Sequence, residues 1–141
     1  MELELSVGKL TDVGTTRDHN EDCFAIHEPG PQEWSVKGRL YAVADGMGGH
    51  AAGEIASRYA ADRLVQLYFS SAYEGDLRWR LTECVRQINR ELHQQVSEKK
   101  GQAKMGTTLV CAVVQGEMLY VANVGDSRAY LIRGGTIRLL T

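Results

Sequence analysis

Asp45 closes the apolar run Leu40-Tyr41-Ala42-Val43-Ala44 and opens Gly46-Met47-Gly48-Gly49-His50. A carboxylate at the end of a buried strand, followed by three glycines in four residues, lets the backbone come close to whatever the acid holds. An acid and nearby carbonyl oxygens in a side-chain-poor turn suit a hard divalent cation such as Mg²⁺ or Mn²⁺. The same residues also read as a plain strand–turn–helix junction with Asp45 as the helix N-cap. Upstream, Arg17 stands four residues before the adjacent carboxylates Glu21 and Asp22. Adjacent acids repel unless a cation or solvent relieves them, and the arginine fork grips a pair of phosphate oxygens. A polar loop with a surface ion pair accounts for the same residues. Downstream, Val124-Gly125-Asp126-Ser127-Arg128 ends another strand-like run in Gly-Asp, as an ordinary hairpin turn does.

The elements that must position these acids follow from periodicity. Leu3 to Thr11, Cys23 to Glu28 and Arg39 to Asp45 read as short strands, and Pro29 to Lys37, which carries both prolines, reads as a surface loop. From Gly53 the period becomes helical, with Ala56, Ala60, Leu64, Leu67 and Tyr68 on one face. After a break at Tyr73-Glu74-Gly75, Asp76 is placed to cap a second helix. Its stripe is Leu77, Leu81, Cys84, Val85, Ile88, Leu92 and Val96, about six turns at 3.6 residues each. Glu98 to Lys104 reads as a polar loop. The rest is all β: Thr107 to Gln115, Met118 to Val124, Arg128 to Arg133 and Thr136 to Leu140. Gln115-Gly116-Glu117 and Gly134-Gly135 are the hairpin turns, the second a type I′ signal. Strands, a helix pair and then a meander predict an α+β protein with helices packed on sheet.

Composition narrows the class. In 141 residues the net charge is −2, against the basic excess of a nucleic-acid binder. Arg78, Arg80, Arg86 and Arg90 cluster, but Glu83 and Glu91 interrupt them, as on a solvated helix face. Cys23, Cys84 and Cys111 are odd in number, lack Cys-x-x-Cys spacing and fall in apolar segments, so they read as core residues of a reduced, intracellular protein. Met1-Glu2-Leu3-Glu4-Leu5 has acids where a signal peptide needs a positive charge, and no run approaches the roughly 20 apolar residues of a membrane span. A cytoplasmic protein with no membrane or nucleic-acid partner is expected.

Taken in order, four motifs carry a family resemblance: Arg17 with Asn20-Glu21-Asp22, Asp45-Gly46-Met47-Gly48-Gly49, Met105-Gly106-Thr107-Thr108, and Val124-Gly125-Asp126-Ser127-Arg128. Together they resemble the metal-dependent serine/threonine protein phosphatases of type 2C, and the Asp-Gly-Met-Gly-Gly-His wording looks like the bacterial branch. The likeness covers about Gly8 to Thr141. It implies a four-layer β-sandwich flanked by antiparallel helix pairs, of which residues 1–141 would supply the N-terminal half with one helix pair. On that resemblance the chain is a single, apparently truncated domain, lacking two later aspartates that ligate metal in the family. A half-sandwich leaves apolar sheet and open strand edges, which favours pairing with another chain.

The resemblance also implies the chemistry. Asp45 would bridge two divalent cations, Mn²⁺ or Mg²⁺, with the Gly46 carbonyl as a further ligand and Asp22 and Glu21 binding through water. A metal-activated water would attack the phosphorus of phosphoserine or phosphothreonine in line, while Arg17 holds the non-bridging oxygens. Asp126 would serve a third, looser metal site. No phosphoenzyme is required. Met47 departs from the pattern: many members carry histidine there as a proposed proton donor, and a thioether donates none. His50 reads as solvent-facing or helix-capping and His19 as a loop residue. Thr107 and Thr108 read as β-branched strand starters whose hydroxyls could support the metal shell. The expected partners are phosphoproteins and a cognate serine/threonine kinase. Two alternatives stand beside this one: a non-catalytic interaction or sensor module on the same scaffold, and a hydrolase of small phosphoesters.

Overall fold

Alternation along one long strand sets the architecture. In β2 (Arg39–Met47), Leu40, Ala42, Ala44 and Gly46 are buried while Val43, Asp45 and Met47 are exposed, so one face of the strand is covered and the other open. The computed structural model describes residues 4–49, 51–70, 75–98 and 104–141. On either side of β2 lie β1 (Asp22–His27) and β4 (Leu109–Gln115), both antiparallel to it, and β5 (Met118–Val124) pairs with β4. The short β3 (Gly106–Thr107) continues the β4 side against Gly46 and Met47. A separate hairpin, β6 (Tyr130–Arg133) and β7 (Thr136–Leu139), turns on Gly134 and Gly135, both with positive φ as a type I′ turn requires.

Two long helices cover the buried face. Helix α2 (Ala51–Phe69) sets Ala56, Ala60, Leu64, Leu67 and Tyr68 inward, the expected stripe. In α3 (Leu77–Glu98), Leu77, Leu81, Cys84 and Ile88 close the same core against Leu40, Ala42, Cys111 and Val113, with Val85 and Leu92 partly buried beside them. Each fully buried Leu or Val side chain contributes about 1.5–3 kcal/mol. Asp76 caps α3 as expected, its Oδ1 accepting from the Trp79 amide at 2.9 Å. The helices run antiparallel: Arg63 meets Glu91 at 2.9 Å, and further along Tyr68 lies 5.4 Å from the Arg80 guanidinium. Cys84 and Cys111 are buried and free of disulfides, and Cys23 is half-buried and also free.

Four expectations change. No strand forms over residues 4–11, which lack regular structure; the alternation there finds no ladder partner, and Lys9 instead lies over the Phe24 ring at 5.3 Å. The segment read as a surface loop contains α1 (Pro31–Lys37), because Pro31 opens a helix at a position that needs no amide donor. Lys37 then donates to Glu33 and to the Phe69 carbonyl, docking α1 on the end of α2. Asp45 is no N-cap: β2 runs two residues past it, held by pairing of Gly46 with Thr107 and Met47 with Gly106, and α2 starts at Ala51. The strand expected from Thr107 is interrupted at Thr108. His50 and residues 99–103 of the expected polar loop lie outside the described residues, as do Tyr73 and Glu74.

Candidate functional site

The acids gather at one end of the open sheet face. Asp22 and Asp45 are direct cross-strand partners of β1 and β2, so their side chains project from the same face. Their carboxyls lie within hydrogen-bonding reach of each other, and the Asp45 pKa is raised, first by burial and then by the Asp22 charge. Asp126, in the turn after β5, adds to that repulsion, while Arg17 opposes it. The structure therefore brings Arg17, Asp22, Asp45 and Asp126 into one electrostatic neighbourhood, from three separate segments of the chain.

Local hydrogen bonds explain how each acid is held. Asn20 Oδ1 accepts from the Asp22 amide at 3.0 Å, and Asn20 Nδ2 donates to Thr11 Oγ1 at 2.8 Å, so Asn20 fixes the entry to β1. The Gly46 amide donates to the Glu21 carbonyl at 3.0 Å, extending the β1–β2 ladder beyond Asp45. On the other side the Asp45 amide donates to Thr108 Oγ1 at 3.0 Å, and the Asp45 carbonyl accepts from the Thr108 amide at 2.9 Å. The Asp45 carbonyl also lies 3.1 Å from Thr107 Oγ1. Thr108 Oγ1 in turn stands 2.6 Å from Ser127 Oγ, next to Asp126. Asn20 and Ser127 were quoted in their motifs without a role; their signal is a polar side chain one or two residues from a candidate acid.

Glycines serve the packing of α2 as much as access to the acids. A Cβ on Gly46 would run into the Gly53 carbonyl oxygen, and one on Gly53 would lie 2.6 Å from Glu21 Oε1. The first turn of α2 thus rests directly on β2. Glu21 Oε1 is buried in that contact with no hydrogen-bond partner among the described residues, and its backbone carbonyl holds the Gly46 amide. Met47 is exposed on the same face as Asp45.

The donors suit a hard cation: carboxylates from Asp22, Asp45 and Asp126, with no sulfur or imidazole among them, while the Glu21 oxygen lies beneath the first turn of α2 against Gly53. Among the described residues, however, no group of three His, Cys, Asp or Glu side chains closes tightly enough to hold an ion by itself. The chain offers a carboxylate pair with outlying acids, and a metal would need water or further ligands to complete its shell.

A family model described as Protein phosphatase 2C matches residues 7–141. The chain belongs to that family. Among its phosphatase 2C relatives, the serine/threonine phosphatase stp of Listeria innocua is 35% identical over 134 residues, covering 93% of this chain and 51% of that protein. The crystal structure of serine/threonine phosphatase Stp1 from Staphylococcus aureus superposes with a TM-score of 0.77 at 34% identity, covering 99% of this chain and 56% of that one. The catalytic domain of the phosphatase PstP in complex with 2 manganese ions gives 0.72 at 37% identity, covering 91% and 51%. The α+β fold with helices on one sheet face is therefore that of phosphatase 2C domains, and the chain spans about half the length of the first curated relatives it matches.

Proposed function

We propose that this chain carries part of the active site of a metal-dependent protein phosphatase that hydrolyses phosphoserine and phosphothreonine. The observation that carries the reading is the in-register Asp22–Asp45 pair, whose mutual repulsion a cation relieves, with Arg17 beside it. Asp45, the Gly46 carbonyl, Asp22 and Glu21 would hold Mn²⁺ or Mg²⁺, and Asp126 a further, looser ion. When bound, two such ions lower the pKa of a shared water and offset phosphate charge. Arg17 grips the non-bridging phosphate oxygens and orients the ester. Met47 supplies no proton to the leaving serine or threonine oxygen. The substrates are phosphoproteins, a cognate serine/threonine kinase would be the opposing activity, and the protein works in the cytosol; no helix among the described residues is long and apolar enough to cross a membrane.

Calorimetric titration with Mn²⁺, alongside turnover of a phosphothreonine peptide and of p-nitrophenyl phosphate, tests this reading. Weak binding that Asp45→Ala abolishes, with negligible turnover by this chain alone, is the expected result. Binding indifferent to Asp45→Ala would overturn the metal assignment. Brisk turnover would overturn the inference that the ligand set here is too small, and preference for the small ester would point to a different substrate class. The absence of a closed three-acid cluster among the described residues favours a second reading, a non-catalytic binding module. That reading predicts phosphopeptide binding dependent on Arg17 but indifferent to Mn²⁺.

A further inference from the structure

Thr108 occupies the junction between the two acidic segments. It is 2% exposed, and the β2–β4 ladder is broken there: the Asp45 amide, which would ordinarily meet a backbone carbonyl, donates to the Thr108 hydroxyl at 3.0 Å. The same hydroxyl lies 2.6 Å from Ser127 Oγ, and either can donate to the other. The methyl group faces Gly125 in the same turn. Gly125 has φ +100, and a Cβ there would come within 2.8 Å of Thr108 Cγ2. One buried side chain thus grips the 125–127 turn at both ends, by its methyl at Gly125 and by its hydroxyl at Ser127.

Such a grip has a purpose that strand packing does not supply. Asp126 sits exposed in that turn, and its charge and that of Asp45 repel each other. Without a tie, an exposed turn carrying a like charge swings toward solvent. We propose that Thr108 is a positioning residue that fixes the Asp126 turn against the Asp45 strand, its hydroxyl bridging the Asp45 amide and Ser127 while its methyl seats Gly125. The proposal rests on the metal-binding reading above and adds a distinct element to it: the placement of Asp126 is set by a neutral side chain on a third segment. Valine at 108 keeps the shape and deletes the hydroxyl; serine keeps the hydroxyl and deletes the methyl.

The test compares Thr108→Val, Thr108→Ser and Ser127→Ala in two measurements. Nuclear magnetic resonance of the metal-free chain reads exchange of the Asp45 amide and the chemical shifts of residues 125–127. Titration with Mn²⁺ reads affinity. Thr108→Val should speed Asp45 amide exchange, move the 125–127 shifts and weaken Mn²⁺ binding about 10- to 100-fold, the usual effect of losing a group that orients a ligand. Thr108→Ser should restore most of each. Unchanged 125–127 shifts and Mn²⁺ affinity in a folded Thr108→Val protein would overturn the proposal, leaving Thr108 a ladder support only. If Thr108→Val does not fold, Ser127→Ala carries the same test from the turn side, with Mn²⁺ affinity and turn shifts expected to move without a change in melting temperature. If the wild-type chain binds no Mn²⁺ at all, the functional reading fails, and the shifts of residues 125–127 alone decide the positioning role.

Discussion

Asp45 is held where its charge is unwelcome. Partial desolvation at this outward-facing strand position and the neighbouring Asp22 and Asp126 carboxylates raise its pKa, and Arg17 only partly offsets them. Because the folded chain binds this proton more tightly than the unfolded chain, the Asp45 contribution to stability is complete below the ordinary carboxylate pKa of about 4 and is lost as pH rises through the raised folded value. Above that raised value the metal-free protein carries the penalty of the ionised acid. Asp45→Asn should therefore raise the melting temperature of the metal-free chain at pH 7 by about 2–4 °C, corresponding to about 1 kcal/mol after solvent screening. The gain should shrink at pH 4, where the wild-type acid is itself partly protonated, and the variant should lose Mn²⁺ binding. Differential scanning calorimetry at the two pH values reads both signs; an equal or lower melting temperature at pH 7 would remove electrostatic strain from the account. At this scale the sequence was informative about acids and poor about their supports. Arg17, Asp22, Asp45 and Asp126 stand out by type and motif. The roles of Asn20, Thr108 and Ser127 depend on which backbone amide or turn lies within 3.0 Å, and only folding brings residues 63 positions apart into that range.

The helix pair is fastened by one buried-edge network. Glu91 accepts from Arg63 through both its oxygens at 2.9 Å, from Tyr59 at 2.7 Å and from Gln87 at 2.8 Å, and these bonds bring its pKa down to about 2. A depressed acid stabilises the fold above its unfolded pKa near 4.3 and loses that contribution as pH falls toward the folded value. Glu91→Gln should cost about 1–2 kcal/mol at pH 7, from weakened charge-assisted bonds at a solvent-edged site. The wild-type advantage should decline between pH 4.5 and 2, which urea denaturation series at stepped pH would follow; a difference constant across that range would mean the network contributes shape and not charge. Both long helices were legible because their stripes repeat at 3.6 residues and bury what they should. Helix α1 was not, since Pro31 signals a loop and a helix start alike, and only the docking of Lys37 on Phe69 distinguishes them. Residues 4–11 failed the other way: alternation proposes a strand, but a strand exists only where a neighbour accepts its hydrogen bonds.

Across the whole molecule, the helices cover one sheet face and leave the other uneven. The acid pair stands at one end, and the cross-strand pairs Phe24–Val43 and Ile26–Tyr41 continue the same face away from it. Among the described residues the β6–β7 hairpin pairs with no other strand and the outer edge of β5 is unpaired, and the hairpin exposes Ile132 (70%) and Ile137 (65%). Exposed branched side chains beside an open strand edge are self-complementary, because an edge can accept a second copy of itself. Burying Ile132 and Ile137 from two copies would yield about 1.5–3 kcal/mol for each side chain, set against an association cost of about 4–15 kcal/mol. The balance predicts a weak, reversible dimer. Sedimentation equilibrium should show an average mass of 15.6 kDa at low concentration that climbs as concentration rises. Ile132→Asp should hold the mass at the single-chain value, and it should leave melting of the helix–sheet core unchanged because β6 contributes nothing to that core. A wild-type mass that stays at one chain throughout would show that exposed branched residues and an open edge are insufficient for pairing.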